Sequence, residues 1–111
     1  MLPAAHRLTS GRTFRSVIRD GRRAGSRTLV VHLATDDGPR EARVGMVVSR
    51  AVGNSVVRHR VQRRLRHLVR EHLASLPDFT VLVVRATPAA GTASSRELGT
   101  DLGRCLQRVM S

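Results

Sequence analysis

Residues 52–73 read VGNSVVRHRVQRRLRHLVREHL, and this stretch decides the fold because it carries two patterns at once. At 100° per residue, Val57, Val61, Leu65, Leu68 and Val69 fall within about 120° of one another, and Leu73 extends their edge. That stripe must pack on another layer. The opposite arc holds His59, Arg60, Arg63, Arg64, Arg66, His67 and Arg70, with Glu71 as the one acid in the stretch. Arg60 faces Arg64, and Arg66 faces Arg70, at i,i+4, where like charges destabilise a helix. Arg58 and Arg60 stand in the first turns, against the helix dipole, at roughly a few tenths of a kcal/mol each. A helix placed against these preferences has a use for its cations, and an anion laid along that flank supplies one. Arg58 lies at the edge of the apolar arc, where its stem can run past the core rim. Just ahead, Val52, Gly53 and Asn54 make a tight turn with backbone donors near a helix N-terminus, a natural seat for phosphate.

Working outward, the helix is flanked by two strands, ARVGMVVS at 42–49 and FTVLVVRA at 79–86, and Pro77 prevents it from continuing. In the first strand Val44, Met46 and Val48 share one face and Gly45 and Val47 the other. The second is apolar on both faces, as a central or parallel strand is. Strand, long helix, strand is a crossover unit and implies parallel pairing. Upstream, RTLVVHLAT at 27–35 puts Leu29, Val31 and Leu33 on one face and Val30, His32 and Ala34 on the other. The turn DDGPR at 36–40 joins it to 42–49, which predicts an antiparallel pair. A weaker signal places a short strand near 22–26.

The ends are helical. SGRTFRSVIRD, residues 10–20, carries a short stripe of Phe14, Val17 and Ile18; Thr9 or Ser10 caps it and Gly21 follows it. SSRE, residues 94–97, is a capping box that opens a helix over 95–110, with Leu98, Leu102, Cys105, Leu106 and Val109 on its apolar side. The expected fold is an α+β two-layer sandwich with a sheet of three or four strands, in the order αβββαβα, built around a βαβ crossover. One domain, 1–111, is expected from this length.

The chain has 111 residues and a net charge of +12; all 20 basic residues are arginines. Guanidinium forks grip phosphate oxygens bidentately and stay charged at any working pH. This balance points to nucleic acid and away from a membrane, since no helix joins a basic face to bulky aromatics. Two phenylalanines and no tryptophan or tyrosine leave too few stacking platforms for an RRM or OB-type reader. Recognition through phosphates and shape is therefore expected. The longest apolar runs are strand-sized and no signal-peptide pattern opens the chain, so a cytoplasmic protein is expected. Cys105 is the only cysteine, which excludes an internal disulfide and a cysteine-rich zinc site, and it reads as a small buried apolar residue. The eight acids are scattered, with no carboxylate cluster for two metal ions. The histidines lack zinc-ligand spacing, so no protein metal site and no catalytic residue are expected.

The stretch Gly53, Asn54, Ser55, Val56, then Arg58, His59 and Arg60, with Arg63 and Arg66 beyond, resembles the signature of the bacterial ribonuclease P protein family. HRLTSGRTFRSVIRDGRR (6–23) is similar to that family's N-terminal segment, and RVGMVVSR (43–50) to its strand entering the signature. His59 stands where the family has Asn, Gln62 and Ala51 where it has basic residues, Ile18 where an aromatic is frequent, and His32 where Tyr is. The resemblance implies an accessory protein that binds a catalytic RNA and helps it remove the 5′ leader of precursor tRNA, the RNA holding the Mg²⁺. By position it assigns docking of the RNA subunit to Arg58, His59, Arg60, Arg63 and Arg66, and the neighbouring Asn54, Arg64 and Arg70 are expected to join them. It assigns the precursor's leader to Phe14, Ile18, Val30, His32 and Val47, with Arg15 and Arg50 expected beside them. It also implies a left-handed crossover. The alternative is a basic ribosomal or general RNA-binding protein without processing activity. A DNA-binding regulator fits poorly, because no helix-turn-helix is present. The residues fix no state of self-association.

Overall fold

The computed structural model describes residues 2–111. Helix α1 (Gly11–Asp20) precedes three strands, β1 (Arg22–Gly25), β2 (Leu29–Thr35) and β3 (Arg43–Val47). Helix α2 (Ser55–Arg70), strand β4 (Thr80–Ala86) and helix α3 (Ser95–Met110) follow. The strands form one sheet in the order β1-β2-β4-β3. β3 and β4 are parallel, as a crossover through α2 requires, while β1–β2 and β2–β4 are antiparallel.

The predicted pairing of 27–35 with 42–49 does not form: β4 lies between β2 and β3. The reason is the run Val81–Val84, fully buried on both faces. A strand apolar on both sides gains most from neighbours on both edges and layers on both faces. The 36–42 connection spans β4 instead of making a tight hairpin. Asp36 N–H donates to the Phe79 carbonyl (3.1 Å) and Phe79 N–H donates to the Arg40 carbonyl (2.8 Å), so the loop brackets the entry to β4. Phe79 pays a left-handed backbone (φ 63°) for that position.

One face of the sheet is closed by α2 and α3. Leu29, Val31, Val44, Leu82 and Val84 pack there against Val61, Leu65 and Val69 of α2 and the whole predicted stripe of α3, Cys105 included. Each fully buried Val or Leu contributes ~1.5–3 kcal/mol. The other face carries α1: Val17, Val81, Val83 and Leu8 form a small second core with Phe14, Ile18, Ala34 and Val47 at its margin. Val30, Val47 and Arg85, on this face, remain half-buried. The outer edge of β3 is capped by the N-terminal segment, where Leu8 N–H donates to the Val44 carbonyl (3.0 Å). β1 is short, and its exposed Arg22 and Arg23 blunt the opposite edge.

The helix starts follow the sequence. Ser10 Oγ accepts from Thr13 N–H (3.3 Å), Asn54 Oδ1 from Val57 N–H (3.0 Å) and Ser94 Oγ from Glu97 N–H (3.1 Å). The Glu97 carboxylate completes the predicted box by accepting from Ser94 N–H (3.2 Å). Helix α2 ends at Arg70, short of the Asn54–Leu73 span that the periodicity predicts, and a 3₁₀ turn (Leu73–Ser75) bends the chain so that Leu76 is buried. A straight continuation would carry that leucine away from the core.

Candidate nucleic-acid interface

Gly53 sets the angle at which α2 leaves the sheet. Its φ of 156° and ψ of −168° lie in a region kept almost entirely for glycine, and a Cβ there would sit 2.8 Å from Val57 Cγ1. With Asn54 as N-cap, the helix is held at its first turn. Its apolar stripe then faces the sheet and its arginine arc faces out.

Of the arc, His59, Arg63, His67 and Arg70 are exposed, while Arg60, Arg64 and Arg66 are half-buried, as is Arg58 at the edge of the apolar face. Two guanidinium groups turn back onto the protein. Arg60 Nη2 donates to the Gly91 carbonyl (2.9 Å) and Arg64 Nη1 to the Ala93 carbonyl (3.0 Å), both in the segment that leads into α3. A helical wheel places these two among free cations because it knows nothing of a neighbour that arrives thirty residues later. Arg58 Nε and Arg60 Nε are buried without a partner. Val56, 72% exposed, stands among the cations of the first turns and borders the same shallow groove as His59 and Arg63.

Carboxylates leave this flank alone. The ion pairs among the described residues are Arg19–Asp20, Arg27–Glu97, Arg40–Asp78 and Arg43–Asp36, and none involves α2. The cations of α2 are therefore not neutralised within the molecule. Each of the four pairs lies off the helix, at the end of α1, at the start of α3, or around the 36–43 loop.

The second candidate surface is the face beside α1. Phe14 packs against the backbone of β3: a Cβ on Gly45 would come 2.1 Å from Phe14 Cζ, so glycine makes room for the ring. Ile18, Val30 and Val47 border the same face, half-buried. His32 belongs to it by register but is only 1% exposed, so its ring forms the floor. Arg85 Nε donates to His32 Nε2 (3.0 Å). Nε2 as acceptor puts the ring proton on Nδ1, which is buried with no partner. Burial first, and then the charges of Arg85 and Arg23, hold the imidazole pKa below its ordinary value and keep it neutral. Arg15 on α1 and Arg50 after β3 are exposed at the margins.

Arg85 and Arg23 were missed by the sequence reading. The parity of β4 could have found Arg85, since it shares a face with Val81 and Val83; the apolar run around it hid that signal. Arg7, Thr9 and Gln62 were missed as well. They line a cavity with Phe14 and Arg66, between elements far apart in the chain. Among the described residues no three His, Cys, Asp or Glu side chains gather where a metal could be held. No described helix is long and apolar enough to cross a membrane.

A family model described as Ribonuclease P matches residues 2–110. The ribonuclease P protein component of Nocardioides sp. is 63% identical over 111 residues, spanning 98% of this chain and 95% of that protein. The corresponding component of Streptomyces avermitilis is 49% identical over 118 residues, spanning 99% and 96%. Among solved structures, the RNase P protein of Staphylococcus aureus superposes with a TM-score of 0.83 at 22% identity, covering 92% of this chain and 93% of that one. The RNase P protein of Thermotoga maritima gives 0.79 at 22% identity, covering 93% and 96%. At such identities the structural likeness speaks for the fold alone.

Proposed function

Because this chain belongs to the ribonuclease P protein family, we propose that the cationic flank of α2 docks the enzyme's RNA subunit and that the face beside α1 receives the 5′ leader of precursor tRNA. The chain is the protein subunit of ribonuclease P, an accessory within a holoenzyme whose other part is the catalytic RNA. The observation that carries the docking surface is the absence of any α2 ion pair among the described residues, against a net charge of +12. Phosphates supply the missing counter-charge and release condensed counterions as they do so. Asn54, Arg58, His59, Arg63, Arg66 and Arg70 make the contact; Arg60 and Arg64 hold the helix against the 88–93 segment.

The leader lies over Phe14, Ile18, Val30 and Val47, flanked by Arg15, Arg50, Arg23 and Arg85. With one aromatic ring on this surface, stacking is limited to one base and the backbone supplies most of the grip. His32 acts from below, through Arg85. The Mg²⁺ of the reaction is held by the RNA, and the chain works in the cytoplasm.

The test is single-turnover cleavage of precursor tRNA by the RNA subunit at low Mg²⁺, with and without the purified chain. Cleavage becomes faster with the chain, and the gain shrinks as the leader is cut to one nucleotide. Equal rates in both arms would reject the assignment of the docking surface, and a gain independent of leader length would reject the leader surface.

A further inference from the structure

Two arginines converge on one buried histidine on the face beside α1. Register sets Arg23 of β1 opposite His32 of β2, and Arg85 of β4 opposite Val30, two residues along β2 from that histidine. All three side chains therefore share one face. Strands about 4.8 Å apart, rising about 3.4 Å per residue, put the Cα atoms of Arg23 and Arg85 roughly 12 Å from each other. Two extended arginine side chains close that span. Arg85 Nε donates to His32 Nε2 (3.0 Å), which draws its guanidinium over β2 and toward Arg23. The bond occupies one of five N–H groups and leaves the terminal nitrogens to other work. Both charges bear on the imidazole, which stays neutral between them. Neither arginine forms an ion pair among the described residues. Like charges gathered at one spot cost free energy until an anion lies between them.

The surroundings say which anion. Gly25, Val30, Arg85 and Val47 are register partners in one row, and this row crosses the part of the face that α1 leaves open. Val30, Arg85 and Val47 are half-buried there, and Arg23 is exposed beside them. The stripe of α2 packs on the opposite face of the sheet, with Leu29, Val31 and Val44. A phosphate that reaches Arg23 and Arg85 thus comes from a strand laid across the α1 face, not from the RNA docked on α2.

We propose that Arg23 and Arg85 together hold a single backbone phosphate of the 5′ leader, and that His32 is the positioning residue that aims Arg85 at it. The proposal rests on the leader surface argued above and gives that surface one discrete anchoring point. Guanidinium forks approach the phosphate oxygens from two strands, and each contact is charge-assisted. A seat made only of cations reads no base, so it fixes the path of the leader and leaves its sequence free.

The test is equilibrium binding of precursor tRNA to the holoenzyme, with one leader linkage at a time replaced by an uncharged methylphosphonate. With the unaltered protein, one position is expected to weaken binding about tenfold, the effect of losing charge-assisted contacts. In Arg23→Ala, and separately in Arg85→Ala, the ordinary leader binds more weakly by a similar factor and the methylphosphonate at that position costs nothing further. Arg23 is exposed, so its variant keeps the fold even where Arg85→Ala disturbs it. His32→Leu, which removes the acceptor, is expected to abolish this coupling, and His32→Gln, which keeps one, to restore most of it; a change in stability alone would not single out one linkage. If the methylphosphonate penalties are the same in the Arg23 and Arg85 variants as in the unaltered protein, the seat is overturned and the leader surface stands. If these variants weaken assembly with the RNA subunit in the absence of precursor, the seat serves that RNA and the proposal is overturned. If binding is independent of the leader altogether, the seat and the leader surface both fall.

Discussion

Arg60 and Arg63 stand less than one turn apart on α2, carry the same charge, and do different work. Arg60 is half-buried and bonded to the Gly91 carbonyl; Arg63 is exposed and unpaired. On the proposed docking, Arg63→Ala removes a phosphate contact and no bond within the molecule. It should leave the midpoint of thermal unfolding unchanged, weaken binding to the RNA subunit, and reduce the slope of log K against log salt by about 1. Arg60→Ala should destabilise the fold by ~1–3 kcal/mol, because the Gly91 carbonyl loses a charge-assisted partner. Denaturant unfolding and salt-titrated binding of the two variants separate the roles. Equal stability losses, or an unchanged salt slope for Arg63→Ala, would contradict this division.

At the scale of the element, α2 is a helix whose outer surface disfavours it. Its arginines repel one another at i,i+4 and oppose the dipole in the first turn. The stripe buried on the sheet, the Asn54 cap and the Gly53 turn hold it nevertheless. Gly53 is the most exacting of these, because both its backbone angles and the 2.8 Å approach of Val57 exclude a side chain. Gly53→Ala should cost ~1–3 kcal/mol and should weaken RNA binding as well, since the helix must leave the sheet at another angle. Chemical denaturation and binding at one salt concentration check both effects. A variant of unchanged stability would show that the turn is not strained as described. Helix α3 offers a contrast: its capping box and its full apolar stripe agree, and they outweigh the two interior glycines, Gly99 and Gly103, that disfavour it by about 1 kcal/mol each.

At the scale of the whole molecule, the two faces of the sheet have separate economies: one closed by two helices, the other half-open with a neutral histidine set among arginines. The depressed pKa of His32 makes the molecule sensitive to acid. Below an ordinary histidine pKa of about 6.5 the unfolded chain takes up a proton that the folded one refuses. Stability is therefore complete above that value and falls as pH drops toward the lowered folded one. Asp36 and Glu97, whose pKa values are lowered by their arginine and backbone partners, lose their contribution only below the usual carboxylate range. Unfolding measured at pH 7.5 and near pH 5 should show a loss of stability that His32→Gln largely removes; an equal loss in the variant would place the titration elsewhere. Much of this architecture is legible in the chain itself. Periodicity marks the three helices and their buried stripes, parity sorts the strand residues onto faces, the crossover implies β3 beside β4, and the arginine arc announces a polyanion. These are local properties, fixed by the pitch of a helix, the pleat of a strand and the sign of a charge. The placement of β4 between β2 and β3, the capture of Arg60 and Arg64 by carbonyls near α3, the Arg85–His32 contact and the cavity under Phe14 were decided by the tertiary structure alone. Each joins residues distant in sequence, and such meetings depend on how layers share buried area, which no local pattern encodes.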